Sequence, residues 1–155
     1  ARLYYGHLHD ILKTSYNDAY MAHWRDQIGA LLPDQAVDAH HAFMVQRAAW
    51  VLEGAPDSVM QAIPPVAFAI TTQGGADFAV DTPLVTLEGT GWIDVRELRL
   101  VGETAPLSVT WTDATTWQIQ LPLTPGPNPI TLLAVDHQAG PVGSDTVTIT
   151  STAGP

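Results

Sequence analysis

Histidine is the residue type in this chain best suited to bind a metal, and five of the six histidines lie before residue 42. His7, His9, His40 and His41 raise the question of a transition-metal site because imidazole is a common metal ligand. His7 and His9 stand two residues apart, so they point to different faces of a helix, and the sequence has no HExxH motif or i, i+4 histidine pair. We interpret these histidines as structural or solvated side chains and predict no metal ligand.

Aspartates of the second half could bind calcium, because carboxylate oxygens are the ligands that calcium prefers. They are Asp77, Asp81, Asp94, Asp136 and Asp145. The sequence has no DxDxDG calcium loop, and aspartate is also frequent in turns, where its carboxylate accepts backbone N–H bonds. Ordinary turn aspartates are the favoured interpretation, and calcium binding in loops between strands is the alternative.

Tryptophans offer a third chemistry, since an exposed indole ring can stack on a sugar. Trp111 alternates in phase with Val109, and Trp117 alternates in phase with Ile119, which places both rings on the core face of a predicted hairpin. Trp92, at the entrance of a predicted strand, is the better candidate for an exposed ring.

Motifs for catalysis are missing from the sequence. It has no GxSxG motif and no cysteine, and the glycine pair at 74–75 precedes a predicted strand without a following GK[ST]. We therefore predict no catalytic residue, no cofactor-binding residue and no enzymatic activity.

The elements that position these residues change in type at residues 63–65. Helix-period sequence precedes this point and strand-period sequence follows it. The sequence predicts an α+β chain of two modules, a small three-helix segment at 1–63 and an all-β immunoglobulin-like sandwich at 64–155. Because domains of roughly 60 residues bury a low fraction of their surface, we expect the helical module to need a covering surface.

Each predicted helix carries an apolar stripe. The stripes are Leu3, Tyr4, Leu8, Ile11 and Leu12 in the first helix, Met21, Trp24, Ile28 and Leu31 in the second, and Val37, His41, Met44, Ala48 and Val51 in the third. Phe43 and Trp50 form a second stripe on the third helix. We expect Asn17 and Asp18 to provide the turn and N-cap of the second helix, Pro33 to end it and Asp34 to cap the third, which should end at residues 53–56.

The second module consists of short alternating segments separated by turn residues, as in an immunoglobulin-like sandwich. We predict strands near 66–71, 77–80, 84–89, 93–101, 107–111, 116–121, 129–136 and 145–151. A phase slip within the fourth segment indicates a bulge near residues 96–97. The apolar run 130–135 indicates a central strand buried on both faces.

Charge and hydropathy limit the partners. Six Lys and Arg stand against sixteen Asp and Glu, which gives a net charge of −10. Nucleic acids and anionic membranes bind basic patches, so we exclude nucleic acid as a partner. No apolar run approaches the roughly 20 residues of a membrane-spanning helix, so we expect no membrane insertion.

Four segments of the first module resemble the last part of a spore-coat-protein-H-type (CotH) kinase domain. They are residues 12–17 (LKTSYN), 20–24 (YMAHW), 30–35 (ALLPDQ) and 46–52 (QRAAWVL). The resemblance covers residues 2–54 and implies a large secreted bacterial protein, in which the kinase-like domain is followed by immunoglobulin-like modules. In that family the nucleotide-binding and metal-binding acidic residues lie upstream of these helices, so none is carried over to a position here.

The resemblance and the missing motifs together predict a non-catalytic structural or interaction fragment of a larger extracellular or cell-surface bacterial protein, whose full-length parent is an atypical kinase. Its expected partners are other protein chains, the missing upstream domain or a second copy in a homo-oligomer. One alternative is a carbohydrate-binding or adhesive sandwich that uses Trp92. Another is a self-assembling surface protein that associates through sandwich edges or the helical face.

Overall fold

The computed structural model describes residues 1–52 and 63–153, and in these ranges three helices precede a two-sheet β-sandwich. The helices are α1 Arg2–Thr14, α2 Asp18–Leu31 and α3 Val37–Leu52. The strands are β1 Ala69–Ile70, β2 Phe78–Val80, β3 Leu84–Thr90, β4 Glu97–Leu100, β5 Thr110–Trp111, β6 Thr116–Pro122, β7 Gly126–Val135 and β8 Pro141–Ser151. The predicted fold class is confirmed.

The chain forms two compact units. The helical unit is Tyr4–Pro64, and the sandwich unit is Pro65–Pro155 together with Ala1–Leu3. The sandwich unit thus includes the first three residues of the chain.

Asn17 lies between α1 and α2, and its side chain forms a hydrogen bond with each helix. Its side-chain Oδ1 accepts a hydrogen bond from Tyr20 N at 3.0 Å, and its Nδ2 donates to Lys13 O at 2.7 Å. The predicted cap is therefore confirmed, as is the end of α2 just before Pro33. The prediction for Asp34 is wrong, because α3 begins only at Val37 and Asp34 lies in the preceding turn. The predicted end of this helix at 53–56 lies outside the described residues.

The apolar stripes differ in how well they are buried. The stripe of α3 is confirmed at His41, Ala48 and Val51, which are buried. In α1 the buried residues are Gly6, His9 and Leu12, whereas Leu3, Tyr4 and Ile11 of the predicted stripe are exposed. Helix α2 has no buried residue.

Two four-stranded sheets form the sandwich, with strand orders β1-β3-β6-β5 and β2-β8-β7-β4. Neighbouring strands are antiparallel except β2 and β8, which are parallel. These orders correspond to the two sheets of an immunoglobulin-like sandwich. Strands β3 and β6 pair from Leu84 opposite Pro122 to Thr90 opposite Thr116.

The core lies between the inner faces of the two sheets. It is formed by inward-facing residues of the strands and by two loop residues, Val95 and Leu123. The strand residues are Ile70, Val85, Leu87, Leu98, Trp117, Ile119, Leu121, Ile130, Leu132, Ala134, Val147 and Ile149. Each large apolar side chain buried in this way contributes about 1.5–3 kcal/mol.

Two details of the predicted strands are wrong. Residues 93–96 form a loop rather than a bulged strand, and the register shift lies between Ala134 and Val135 instead. Ile93 and Val95 are nevertheless buried, so the phase slip marks a buried loop that enters β4. The second wrong detail is the predicted burial of both faces over 130–135. Strand β7 alternates between buried and half-buried residues over 130–134, because a strand of this antiparallel sandwich turns only one face to the core.

Candidate functional site

The histidines considered as metal ligands lie in different environments. His7 and His40 are exposed, whereas His9 and His41 are buried. His41 Nε2 lies 3.2 Å from Asp18 Oδ1, although the two atoms lack the alignment of a hydrogen bond. Within residues 1–52 and 63–153, no three His, Cys, Asp or Glu side chains are arranged to hold a metal ion.

Several of the aspartates considered for calcium accept backbone hydrogen bonds. Asp145 Oδ2 accepts from Ile70 N at 2.7 Å, and Asp77 Oδ1 accepts from Thr148 N at 2.7 Å. Asp136 Oδ1 accepts from the backbone of the 137–140 turn at 2.8 and 2.9 Å. These carboxylates therefore stabilise strand ends and turns.

Trp117 is the central side chain of the sandwich core. It is fully buried, its Nε1 donates to Thr90 O at 2.8 Å, and its ring stacks on Phe68 with centroids 5.7 Å apart. Gly89 lies against it so closely that a Cβ at position 89 would be 2.1 Å from Trp117 Cζ2. The predicted core position of Trp117 is confirmed.

Trp111 lies opposite Trp117 in the predicted hairpin, since β5 and β6 pair at these two residues. Its ring is only partly buried against the core, and the guanidinium carbon of Arg2 lies 3.1 Å from the ring centroid. Trp92, which was expected to be exposed, is half-buried. Trp92 and Trp111 are thus both half-buried, and the Arg2 cation covers one face of the Trp111 ring.

The guanidinium group of Arg2 is surrounded by four backbone carbonyl oxygens of the sandwich unit. Nη1 donates to Gly91 O at 3.1 Å and to Ala114 O at 2.5 Å. Nη2 donates to Trp92 O at 2.5 Å and to Val95 O at 2.6 Å. We call these four carbonyls and the Trp111 ring the guanidinium cage. The cage provides one acceptor for each of the four Nη hydrogens.

The cage holds a charged group in partly buried surroundings. Burial lowers the pKa of Arg2 to about 10, while the carboxylates of Asp94 and Asp113 act in the opposite direction. A pKa of about 10 leaves the guanidinium protonated at neutral pH. Cation–π attraction to Trp111 and four hydrogen bonds offset the loss of hydration.

The sequence contains little that points to this cage. Its acceptors are backbone atoms, which every residue has, and they lie 89 to 112 residues from Arg2 along the chain. The single usable signal is that Arg2 is one of only six basic residues in an acidic chain.

A second candidate site is an apolar groove between α2 and α3. Its volume is about 260 Å³, and its lining includes Trp24, Ile28, Leu32, His41 and Met44. Trp24, Ile28 and Leu32 are exposed. A groove with such a lining is suited to an apolar side chain of a protein partner.

Among the helices of the described ranges, none combines the length and the apolar character that a membrane span requires.

Comparison with known proteins gives a likeness of fold. No family model matches the sequence, and no curated protein matches it. The chain is similar to a solved structure described as "Structures of Clostridium thermocellum CbhA fibronectin(III)-like modules", with a TM-score of 0.40 and 15% identity. The match covers 57% of this chain and 99% of that chain.

Proposed function

We propose that this chain is a non-catalytic structural and interaction part of a larger secreted bacterial protein of CotH-like type, in which the helical unit docks against the rest of a kinase-like domain. The observation that carries the proposal is the apolar surface of the helical unit. Leu31 is 79% exposed, Phe43 is 65% exposed and Trp24 is 46% exposed. Each large apolar side chain left in water forgoes about 1.5–3 kcal/mol, so this surface favours a protein cover.

The sandwich is less suited to association through its edges. The edge strands β1, β5, β2 and β4 have only two to four residues each. Short edge strands present few unpaired N–H and C=O groups to another sheet. The proposal therefore assigns interaction to the helices and a spacer role to the sandwich.

Light scattering and binding of a hydrophobic dye to the full chain test this proposal. We expect a monomeric chain that binds the dye, with binding that falls in the double variant Ile28→Ser, Leu31→Ser, because both side chains are exposed on α2. Val101→Ser is the matched control, since Val101 is an exposed apolar residue of the sandwich. A monomeric chain that binds no dye would contradict the docking role, whereas association between copies lost in the double variant would favour self-assembly.

Calorimetry with ATP and magnesium or manganese tests the non-catalytic part of the proposal. We expect no saturable heat, because the sequence has no phosphate-binding glycine loop. Saturable binding at micromolar concentration would refute it.

A further inference from the structure

We propose that the guanidinium cage is a ligand-binding site of the sandwich, specific for the guanidinium group of an arginine side chain, and that Arg2 occupies it as an internal ligand. The proposal goes beyond the docking role of the helices, because it assigns a ligand class to the sandwich unit. Arg2 itself belongs to that compact unit.

The geometry of the cage fits a planar fork. Two carbonyls accept from Nη1 and two others from Nη2, while the guanidinium carbon lies over the Trp111 ring, 3.1 Å from its centroid. A lysine ammonium carries its three N–H donors on one atom and has no flat face to stack on the indole. The cage therefore selects arginine over lysine.

The walls of the cage are held by bonds that do not involve Arg2. Gly91 N donates to Thr115 O at 2.8 Å, which joins the loop after β3 to the turn after β5. Val95 N donates to Trp92 O at 3.1 Å, and the side chain of Val95 is buried in the core. Asp113 Oδ1 accepts from Thr115 N and Thr116 N, both at 2.7 Å. The acceptors are therefore preorganised, which reduces the cost of binding a ligand.

The loop that contains Gly91 can approach the Trp111 ring closely because position 91 has no side chain. A Cβ there would be 3.3 Å from both the Trp111 ring and the Val95 side chain. Nearby Asp94 and Asp113 favour a cation in the cage. Because Arg2 is tethered to the same chain, its effective concentration exceeds that of a free ligand, so an external arginine binds only when Arg2 is removed or displaced.

The test uses the full chain with Arg2→Ala and the probe N-acetyl-arginine amide, followed by NMR of the indole N–H groups and by thermal melting. We expect saturable shifts of the Trp111 indole signal and a rise in Tm with the probe in Arg2→Ala. We expect neither in the wild-type chain nor in Arg96→Ala, which removes an exposed arginine of the same unit and leaves the cage filled. N-acetyl-lysine amide should bind at least about tenfold more weakly, because an ammonium cannot form the forked contact.

A folded Arg2→Ala chain that shows no saturable shift at tens of millimolar probe would overturn the proposal, and equal binding of the lysine amide would overturn its specificity. If Arg2→Ala does not fold, proton NMR of the wild-type chain tests whether the cage holds a guanidinium group. The side-chain protons of Arg2 should then show a ring-current shift that disappears in Trp111→Leu, and unshifted Arg2 protons in the wild-type chain would show that the cage does not hold the group.

Discussion

The helical unit and the sandwich unit bury their apolar side chains to very different degrees. Among the described residues, the largest fully buried side chains all belong to the sandwich: Trp117, Leu87, Ile93, Leu98, Leu132, Ile149 and Val147. In the helical unit, α2 buries no residue and Leu31, Leu32 and Phe43 are more than half exposed. The alternating residues of the sandwich unit form a closed core, whereas the apolar faces of the helices in the helical unit are only partly covered.

This difference indicates where stability resides. Side chains packed between two sheets gain both transfer free energy and close packing, whereas half-exposed side chains on a helix gain a fraction of that.

The largest effect is expected when the two halves are produced separately. A fragment of residues 65–155 should melt cooperatively, because it contains the whole described core between the sheets. A fragment of residues 1–63 should lack a cooperative transition and should bind hydrophobic dye, since its apolar stripes have no second layer of structure. Circular dichroism melting curves measure this, and a monomeric 1–63 fragment with a sharp transition would remove the contrast between the units.

Trp117→Ala should lower the free energy of unfolding of the sandwich by about 3–5 kcal/mol, as expected for a large aromatic side chain removed from a core. The same substitution at Trp92 should cost much less, because Trp92 is half-buried. Urea unfolding of both variants gives the comparison. Equal losses would show that the core is not centred on Trp117.

The same change of glycine to alanine should have opposite signs in the two units. Gly89→Ala should destabilise the sandwich by about 1–3 kcal/mol, because the new Cβ would overlap Trp117 and Ala69 O. Gly29→Ala, in α2, has open space around the new methyl group and should stabilise the helix by about 0.8–1 kcal/mol. A stabilised Gly89→Ala variant, seen as a higher urea midpoint, would contradict the tight packing described here.

The smallest effect is expected from the acid titration of Asp113. Hydrogen bonds from Thr115 N and Thr116 N hold the pKa of this carboxyl below its usual range. The carboxylate therefore stabilises the turn above the pKa of the unfolded chain, and this contribution is lost as the pH falls through the lowered pKa of the folded state. Carboxyl ¹³C NMR should report the low pKa. In Asp113→Asn, the loss of stability that protonation of Asp113 causes at acid pH should be absent. An ordinary pKa for Asp113 would mean that the turn does not form as described.

Sequence period was a good guide where residues alternate strictly. Strand β6 was predicted at 116–121 and is observed at Thr116–Pro122, because every second residue from Trp117 onward faces the core. It failed at residues 93–96, where Ile93 and Val95 are buried within a loop, since burial alone does not distinguish a strand from an anchored loop. It also failed for α1, whose predicted stripe includes the exposed residues Leu3, Tyr4 and Ile11.

The guanidinium cage could not be predicted in this way. Its acceptors are main-chain oxygens of two loops that meet only when β3 and β6 pair, so no residue type marks them. Tertiary contacts of this kind become visible only in three dimensions.

The parallel pairing of β2 with β8 has a mechanical consequence. Phe78 lies opposite Ile149 and Val80 lies opposite Ser151, so the two strands run in the same direction near the ends of the sandwich. A pulling force applied through the chain before β2 and after β8 would slide these strands along each other and load their hydrogen bonds at the same time. An antiparallel terminal pair would instead open one hydrogen bond after another, so the parallel pair resists a force along the strands better than an antiparallel pair of the same length would.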